Sequence, residues 1–202
     1  ACRRGTVTGA LAGVREQAMS SNYLANPLEF LITTLFSLYI LAVMLRFILG
    51  TVGADFYNPV SQFLVRITNP LLVPLRKIIP SAGKFDTSAI LLMLFLQVVS
   101  LGLVVLIRGI DVPVLTLLII AIGELVMLTI NVFMFAIIIQ VILSWVNPGN
   151  YNPVTGLLYS ITSPVMRPIQ RVIPPVSGID LSPLVAIIGL QVLRMLIMPL
   201  LG

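Results

Sequence analysis

Four apolar stretches, each long enough to cross a bilayer as a helix, constrain this chain more than any other feature. They cover about 28–50, 88–107, part of 112–146, and 183–202. A transmembrane helix needs about 20 mostly apolar residues. Only 9% of the 202 residues are charged and the mean hydropathy is +1.10, whereas about 25% are charged in an average soluble domain. The sequence therefore predicts an all-α membrane protein with about four transmembrane helices.

The third apolar run is longer than a single span requires. Residues 112–146 would form a helix of about 52 Å at roughly 1.5 Å per residue. Three arrangements remain open at this point. Residues 112–121 lie in the interface, the helix protrudes from the membrane, or the helix breaks near Gly123.

Residues 1–18 differ from the remainder because they carry several charges and no long apolar run. They also lack the apolar segment of a signal peptide. Met19 stands directly before the polar residues that precede the first span. We interpret 1–18 as an extension outside the fold, either non-native or a genuine disordered tail, with Met19 as the natural start.

Residue types needed for common catalytic and metal sites are scarce. The chain has no histidine and one cysteine, Cys2, which excludes imidazole bases, an internal disulfide and the usual zinc sites. The net charge of +5 on so apolar a chain favours contact with a membrane surface over nucleic acid. We expect no catalytic residue, no metal site and no cofactor, and therefore no enzyme.

An internal repeat organises the chain. Tyr57-Asn58-Pro59-Val60 recurs 94 positions later as Tyr151-Asn152-Pro153-Val154, and 16 of the 42 positions from 57 to 98 are identical at this offset. Each unit reads as span, loop, span. We therefore predict repeat 1 over 19–108, with spans at 28–50 and 88–107, and repeat 2 over 109–202, with spans at 122–146 and 183–202.

Two spans per unit return the chain to its starting side, so the repeats are parallel and both long loops lie on one face. These loops, about 51–87 and 145–181, hold most of the basic residues, whereas the short link between the repeats holds only Arg108. The positive-inside rule predicts cytoplasmic loops and outer termini in a bacterial inner membrane. Arg3, Arg4 and Arg15 oppose this orientation if the extension is native.

Each long loop contains an amphipathic helical pattern. Apolar residues at i, i+3, i+4 and i+7 predict a helix twice over, with the first stripe at Val60, Phe63, Leu64 and Ile67 and the second at Val154, Leu157, Leu158 and Ile161. Asn58 and Asn152, each followed by proline, are typical helix N-caps. We expect these helices to end before Pro70 and Pro164, since proline disfavours helix at the preceding residue.

Basic residues are interleaved with apolar ones in the second half of each loop. Next to membrane spans, this pattern is typical of a segment in the headgroup layer. The functional interpretation is a surface that binds anionic lipid or a protein partner; the alternative is that the charges only tether the loops and set topology. The residues concerned are Arg66, Arg76, Lys77, Arg167 and Arg171.

Asp86 and Asp180 occupy equivalent positions just before the second and fourth spans. The simpler interpretation is helix N-capping, because an aspartate accepts backbone N–H bonds and favours a helix N-terminus. The sharper interpretation is an ion pair that locks the loop against the bundle, with Arg76 or Lys77 in repeat 1 and Arg171 in repeat 2.

Polar side chains within the spans are candidate functional groups. Glu124 and Asn131 are seven residues apart and share a helix face, and Arg194 is deep enough to need a partner such as Glu124 or Glu29. Two hypotheses follow: a polar interior that serves an ion path, or ordinary interhelical hydrogen bonds. The set is Glu29, Gln97, Glu124, Asn131, Gln191 and Arg194.

The doubled Tyr-Asn-Pro, Thr-x-Pro and Asp-x-Ser units closely resemble the YggT family of small bacterial inner-membrane proteins, which has YlmG relatives in cyanobacteria and plastids. The resemblance covers about 26–201 and both copies. It implies a two-copy membrane protein with no established catalytic residues. The family is linked to osmotic-stress tolerance, to cell division and, in one plastid branch, to attaching haem to a cytochrome. Without histidine, this chain cannot offer an imidazole to haem.

Two function classes follow. The first is a non-enzymatic membrane-organising or assembly protein whose basic loops bind anionic headgroups, a membrane or cytoplasmic protein, or a second copy of the chain. The second is a small ion transporter or channel component in osmotic homeostasis. Direct nucleic-acid binding is not expected.

Overall fold

The computed structural model describes the backbone of residues 5–79, 86–146, 152–173 and 180–200, and the side chains of those from 25 to 199. Within these ranges the chain forms six α-helices and no strand, so the predicted all-α class is confirmed. A final 3₁₀ turn covers Met198–Leu200. The helices are α1 (Gly5–Thr51), α2 (Pro59–Ile78), α3 (Thr87–Arg108), α4 (Val114–Val146), α5 (Pro153–Val172) and α6 (Ser182–Ile197).

Three of these helices are long and apolar enough to cross a membrane. They are Ala25–Thr51 within α1, the whole of α3 and the whole of α4. The fourth predicted span corresponds to α6, which is apolar but only 16 residues long before the 3₁₀ turn. The elements therefore follow the repeat, with span, surface helix and span occurring twice.

Helix α4 decides one of the alternatives left by the sequence. It runs without a break through Gly123 for 33 residues, a length of about 50 Å. Its first residues, Val114 and Leu115, are both 69% exposed. A break near Gly123 is therefore excluded. The division of residues 112–121 between interface and span stays a prediction, as does the extension over 1–18, where the structure describes backbone only from Gly5 and no side chains.

The main core lies between α1 and α3, with contributions from α2, α4 and α5. Its fully buried side chains include Ile40, Val43 and Leu49 of α1 and Leu72 of α2. A smaller cluster of Ile137, Met166 and Ala186 lies within repeat 2. The turn between the repeats uses Gly109 at φ +64°, a left-handed conformation that glycine adopts without a Cβ clash.

Both surface helices continue past the prolines at which we expected them to end. Helix α2 contains Pro70 and α5 contains Pro164, although an interior proline costs about 3 kcal/mol or more. Burial on both sides offsets this cost, since Thr68 and Leu72 flank Pro70 and are fully buried. In α5 the Ser163 hydroxyl donates to the Ser160 carbonyl at 2.9 Å, the group that Pro164 leaves without its helical donor.

The apolar stripe predicted for α2 faces outward rather than into the protein. Phe63 is 61% exposed and Ile67 is 37% exposed, while the buried side of α2 is formed by Ser61, Leu64, Thr68 and Leu72. In α5 the equivalent stripe is buried, with Leu157 at 5% and Ile161 at 6% exposure. A polar contact made by Thr68, described below, orients α2 and leaves its apolar stripe at the surface.

Candidate functional site

The two surface helices begin in the same way and meet at their first residues. The Asn58 side chain accepts the Val60 N–H at 3.0 Å, and the Asn152 side chain accepts the Val154 N–H at 3.2 Å. The Asn58 amide also donates to the carbonyl of Pro153 at 2.7 Å. This contact joins the N-terminus of α2 to that of α5 and places both helices at one end of the bundle.

A buried arginine fixes α2 to the first span. Arg46 of α1 is only 8% exposed and donates to the Thr68 hydroxyl at 2.6 Å and, at 3.5 Å, to the Val65 carbonyl. The Thr68 hydroxyl in turn donates to the Leu64 carbonyl at 2.7 Å. Sequence reasoning gave Arg46 a snorkelling position near the membrane surface. The guanidinium is instead buried between α1 and α2, because the threonine supplies an acceptor there.

Repeat 2 makes the same contact with a neutral residue. Gln140 occupies the position equivalent to Arg46, and the Thr162 hydroxyl donates to its Oε1 at 2.5 Å. Thr162 is 1% exposed and Thr68 is 0% exposed. Both helices are thus held to the preceding span by a buried threonine. The sequence signal for these pairs was present, since both partners recur together at the 94-residue offset.

The far end of each surface helix contacts the aspartate that precedes the next span. Arg76 forms an ion pair with Asp86, which also accepts the Ala89 N–H at 3.3 Å. In repeat 1 the N-cap and the ion pair therefore coexist. In repeat 2 the contact predicted from Arg171 is wrong, because Gln170, the equivalent of Arg76, donates to Asp180 at 3.0 Å.

Asp180 is also held by the start of α6. The Ser182 N–H donates to its carboxylate at 2.9 Å. Burial raises the pKa of Asp180, but the hydrogen bonds from Ser182 and Gln170 outweigh it and hold the pKa below the ordinary value of 3.8. The carboxylate is therefore ionised at neutral pH and binds both donors in that form.

The remaining basic residues of the surface helices are exposed. None has an ion-pair or hydrogen-bond partner among the described side chains. This group comprises Arg66, Lys77, Arg167 and Arg171. The structure therefore separates two sets among the predicted loop residues: Arg76 holds the fold, and the other four are available to a ligand.

Two clefts lie beside these helices. One, of about 400 Å³, separates the N-termini of α2 and α5 and includes Asp55 and Tyr57. The other, of about 370 Å³, lies between the end of α1 and the middle of α5. Its lining residues are Thr51, Val52, Ser163, Pro164, Arg167, Pro168 and Arg171.

The polar side chains of the spans do not form one polar interior. Glu29 binds Arg108 through two hydrogen bonds of 2.7 and 2.9 Å, and Gln97 donates to Glu124. In the described part of the chain, the side chains of Asn131, Gln191 and Arg194 have no polar partner. The expected pairing of Arg194 with Glu124 or Glu29 is therefore wrong, since both carboxylates have nearer donors on α3.

The Glu29–Arg108 pair was missed by sequence reasoning. Glu29 lies near the start of the first span and Arg108 ends the second. Antiparallel neighbours place the start of one helix beside the end of the next, so this pairing was available from the topology alone. The contact closes the end of the bundle opposite α2 and α5.

Comparison with known proteins gives consistent matches. A sequence model described as CCB3/YggT matches residues 25–107 and again 109–201. An uncharacterised protein of Pseudomonas aeruginosa is 46% identical over 170 residues, which is 83% of this chain and 86% of that protein. An uncharacterised protein of Vibrio alginolyticus is 39% identical over 179 residues, 88% of this chain and 96% of the relative.

A protein named YggT from Escherichia coli is 35% identical over 173 residues, which cover 84% of this chain and 88% of the relative. Its printed name also calls it uncharacterised. No solved structure is significantly similar to the chain. The matches extend over both repeats and so include the surface helices described above.

Proposed function

This chain belongs to the CCB3/YggT family, and from that premise we propose that it is a non-enzymatic, multi-pass inner-membrane protein that organises or assembles membrane components. Its working surface is formed by α2 and α5. The observation that carries this proposal is the pair of buried contacts, Arg46–Thr68 and Gln140–Thr162. Helices held in this way present their exposed side chains in a fixed arrangement, which favours docking over a flexible tether.

The outer side of α2 supports contact with a lipid surface. Phe63 and Ile67 are exposed, and Arg66 and Lys77 on the same helix are also exposed. A helix with apolar and basic residues next to membrane spans suits the headgroup layer. Each basic residue near an anionic leaflet contributes about 1 kcal/mol to binding. Anionic headgroups are therefore the proposed ligand class.

The charge distribution supports a cytoplasmic location for α2 and α5. All the unpaired basic side chains of these helices lie at one end of the bundle. At the other end, Arg108 is neutralised by Glu29. Because cytoplasmic loops carry the excess of lysine and arginine, we place the surface helices on the cytoplasmic side, where a membrane or cytoplasmic protein, or a second copy of the chain, would dock.

A role in osmotic-stress tolerance or in cell division agrees with such a surface. Both processes need proteins that sense or arrange the cytoplasmic leaflet. The proposal predicts that charge reversal at the exposed residues Lys77 and Arg171 abolishes the cellular function, whereas charge removal at Arg108 does not.

In-cell photo-crosslinking tests the proposal. A crosslinking amino acid replaces Ile78 or Val172, which are repeat-equivalent and 78% and 79% exposed. Ile110, at the opposite end and 51% exposed, is the matched control. The proposal predicts defined lipid or protein adducts from the first two positions and none of these from Ile110. The same adducts from all three positions would contradict it.

A small ion transporter or channel component is the second candidate. The observation that favours it is the contact between Gln97 of α3 and Glu124 of α4 within the apolar helices, since a carboxylate there is costly and often functional. Ion flux in proteoliposomes tests this candidate with Glu124→Gln and Arg194→Gln. Flux at the level of empty vesicles in the unsubstituted protein would exclude it.

A further inference from the structure

The cleft between the end of α1 and the middle of α5 has the composition of an anion site. Arg167 and Arg171 line it together with Thr51 and Ser163. The two arginines are four residues apart on α5 and therefore lie on one helix face. The lining set contains no acidic residue, so the cleft has a positive charge of two that is not compensated within it.

We propose that this cleft binds a phosphate group, either in the headgroup of an anionic phospholipid or in a soluble phosphate ester. The proposal rests on the membrane-surface function proposed above and names the residues that select the ligand. Arginine suits this chemistry because its planar guanidinium has five N–H donors that match phosphate oxygens in pairs. A neutral ligand gains little from two such groups.

The other polar groups of the cleft are already committed to the protein. The Thr51 hydroxyl donates to the Phe47 carbonyl at 2.8 Å, and the Ser163 hydroxyl donates to the Ser160 carbonyl. The arginines therefore supply the N–H donors that remain for a ligand. A ligand that only accepts hydrogen bonds, as a phosphate diester does, fits this donor set.

The fold itself makes no use of Arg167 and Arg171. The last carbonyls of α1, at 48, 49 and 50, accept backbone N–H groups from residues 52, 54 and 53. Asp180, the nearest carboxylate in sequence, is bound by Gln170 and Ser182. Neither helix capping nor the loop contact accounts for the two arginines, so a ligand outside the described chain is the remaining acceptor.

Repeat 1 lacks this pair and supplies the control. The positions equivalent to Arg167 and Arg171 hold Val73 and Lys77, and the position equivalent to Thr51 holds Trp145. The same helix at the same end of the bundle therefore carries one cation where α5 carries two. If overall positive charge were sufficient, α2 and α5 would bind phosphate equally.

Lipid binding to the full chain in neutral detergent micelles tests the proposal, with native mass spectrometry as the readout. The probes are phosphatidylglycerol and phosphatidylcholine. Arg167→Gln/Arg171→Gln is compared with Arg66→Gln/Lys77→Gln, which removes the same charge from α2. We expect the first variant to weaken phosphatidylglycerol binding on the order of thirtyfold, since each basic residue contributes roughly fivefold, and the second to weaken it less than about threefold.

Equal weakening by the two variants, or none by the first, would overturn the proposal. Unchanged helix content by circular dichroism controls for folding. Should the glutamine variant fail to fold, Arg167→Lys/Arg171→Lys retains both charges without the planar fork. We expect that variant to lose at least about threefold from the missing paired contacts, and unchanged affinity would again overturn the site.

Competition with glycerol 3-phosphate separates the two sources of phosphate. Displacement of the lipid at a similar concentration identifies a soluble phosphate ester as the ligand, whereas persistence of the lipid identifies the headgroup with its acyl chains. Both results support a phosphate site. Because this assay needs no cellular partner, its failure is distinguishable from failure of the crosslinking test of the proposed function.

Discussion

The two repeats share one scaffold but place their charges differently. Repeat 1 uses Arg46 and Arg76 for its two polar contacts, whereas repeat 2 uses the neutral residues Gln140 and Gln170 at the equivalent positions. The threonine and aspartate partners are the same in both. The difference teaches that the fold needs a polar side chain at these positions and not a charge. In α5 the arginines lie elsewhere and are exposed.

The surface helices also differ in how they pack. Helix α5 buries Leu157, while α2 exposes the equivalent Phe63. Repeat 2 thus rests part of its surface helix on the core of repeat 1, and α2 keeps an apolar side free for lipid. Four comparisons between equivalent residues can break or sharpen this account.

The largest effect is expected at the two apolar positions. Leu157→Ala should lower the free energy of unfolding by about 2–5 kcal/mol, because it removes a buried side chain and leaves a cavity. Phe63→Ala should cost less than about 1 kcal/mol, because that ring is 61% exposed. Denaturant unfolding in micelles, followed by circular dichroism, measures both. Similar losses would show that α2 and α5 are packed alike.

The buried threonines should separate by the charge of their partners. Thr68→Val leaves the buried Arg46 guanidinium short of an acceptor, so we expect a loss of about 2–3 kcal/mol, as hydrogen bonds to charged groups contribute about 1.5–3. Thr162→Val affects only a neutral amide and should cost about 1 kcal/mol. The same unfolding assay ranks the two variants. A larger cost for Thr162→Val would reverse the assignment.

The loop contacts should differ in their response to salt. Arg76→Gln gives repeat 1 the amide that repeat 2 already has, and the cost at low salt should be below about 1 kcal/mol because the ion pair is partly exposed. At about 1 M salt this cost should vanish, since charges are screened over roughly 3 Å. Thermal unfolding at two salt concentrations measures the effect. A cost that persists in high salt would mean that Arg76 acts by packing.

The smallest effect concerns acid. The pKa of Asp180 lies below its ordinary value of 3.8, so its contribution is present above that value and is lost as the pH falls through the lower, folded-state pKa. Asp180→Asn should therefore unfold more easily than the unsubstituted protein at pH 6, and the difference should shrink towards pH 3. Unfolding midpoints across this range measure it. A difference that grows as the pH falls would contradict the direction.

Sequence patterns predicted the helical class, the two-copy arrangement and the approximate spans, because apolar length and the 94-residue offset are properties of the chain itself. They failed where tertiary contacts outweigh local preference. Pro70 and Pro164 do not end their helices, because buried side chains on both sides hold the backbone. The exposed stripe of α2 follows from the Arg46–Thr68 contact, which amphipathic periodicity does not reveal.

The candidate site was predicted in part. The basic loop residues were identified, but their division into a structural set and an available set depends on which partner each one meets. Gln170 takes the place that was predicted for Arg171, and the repeat offset already paired Gln170 with Arg76. Arg194 was expected to find a carboxylate, but Glu29 and Glu124 have nearer donors in Arg108 and Gln97.

A distance measurement tests most directly the claim that both surface helices are fixed at one end of the bundle. Spin labels at Ile78→Cys and Val172→Cys, in a Cys2→Ser background that removes the one native thiol, report on repeat-equivalent exposed positions in lipid nanodiscs. We predict a single narrow distance distribution by pulsed electron paramagnetic resonance, which broadens when Thr68→Val is added. A broad distribution without that substitution would show that the helices are mobile tethers and would contradict the account.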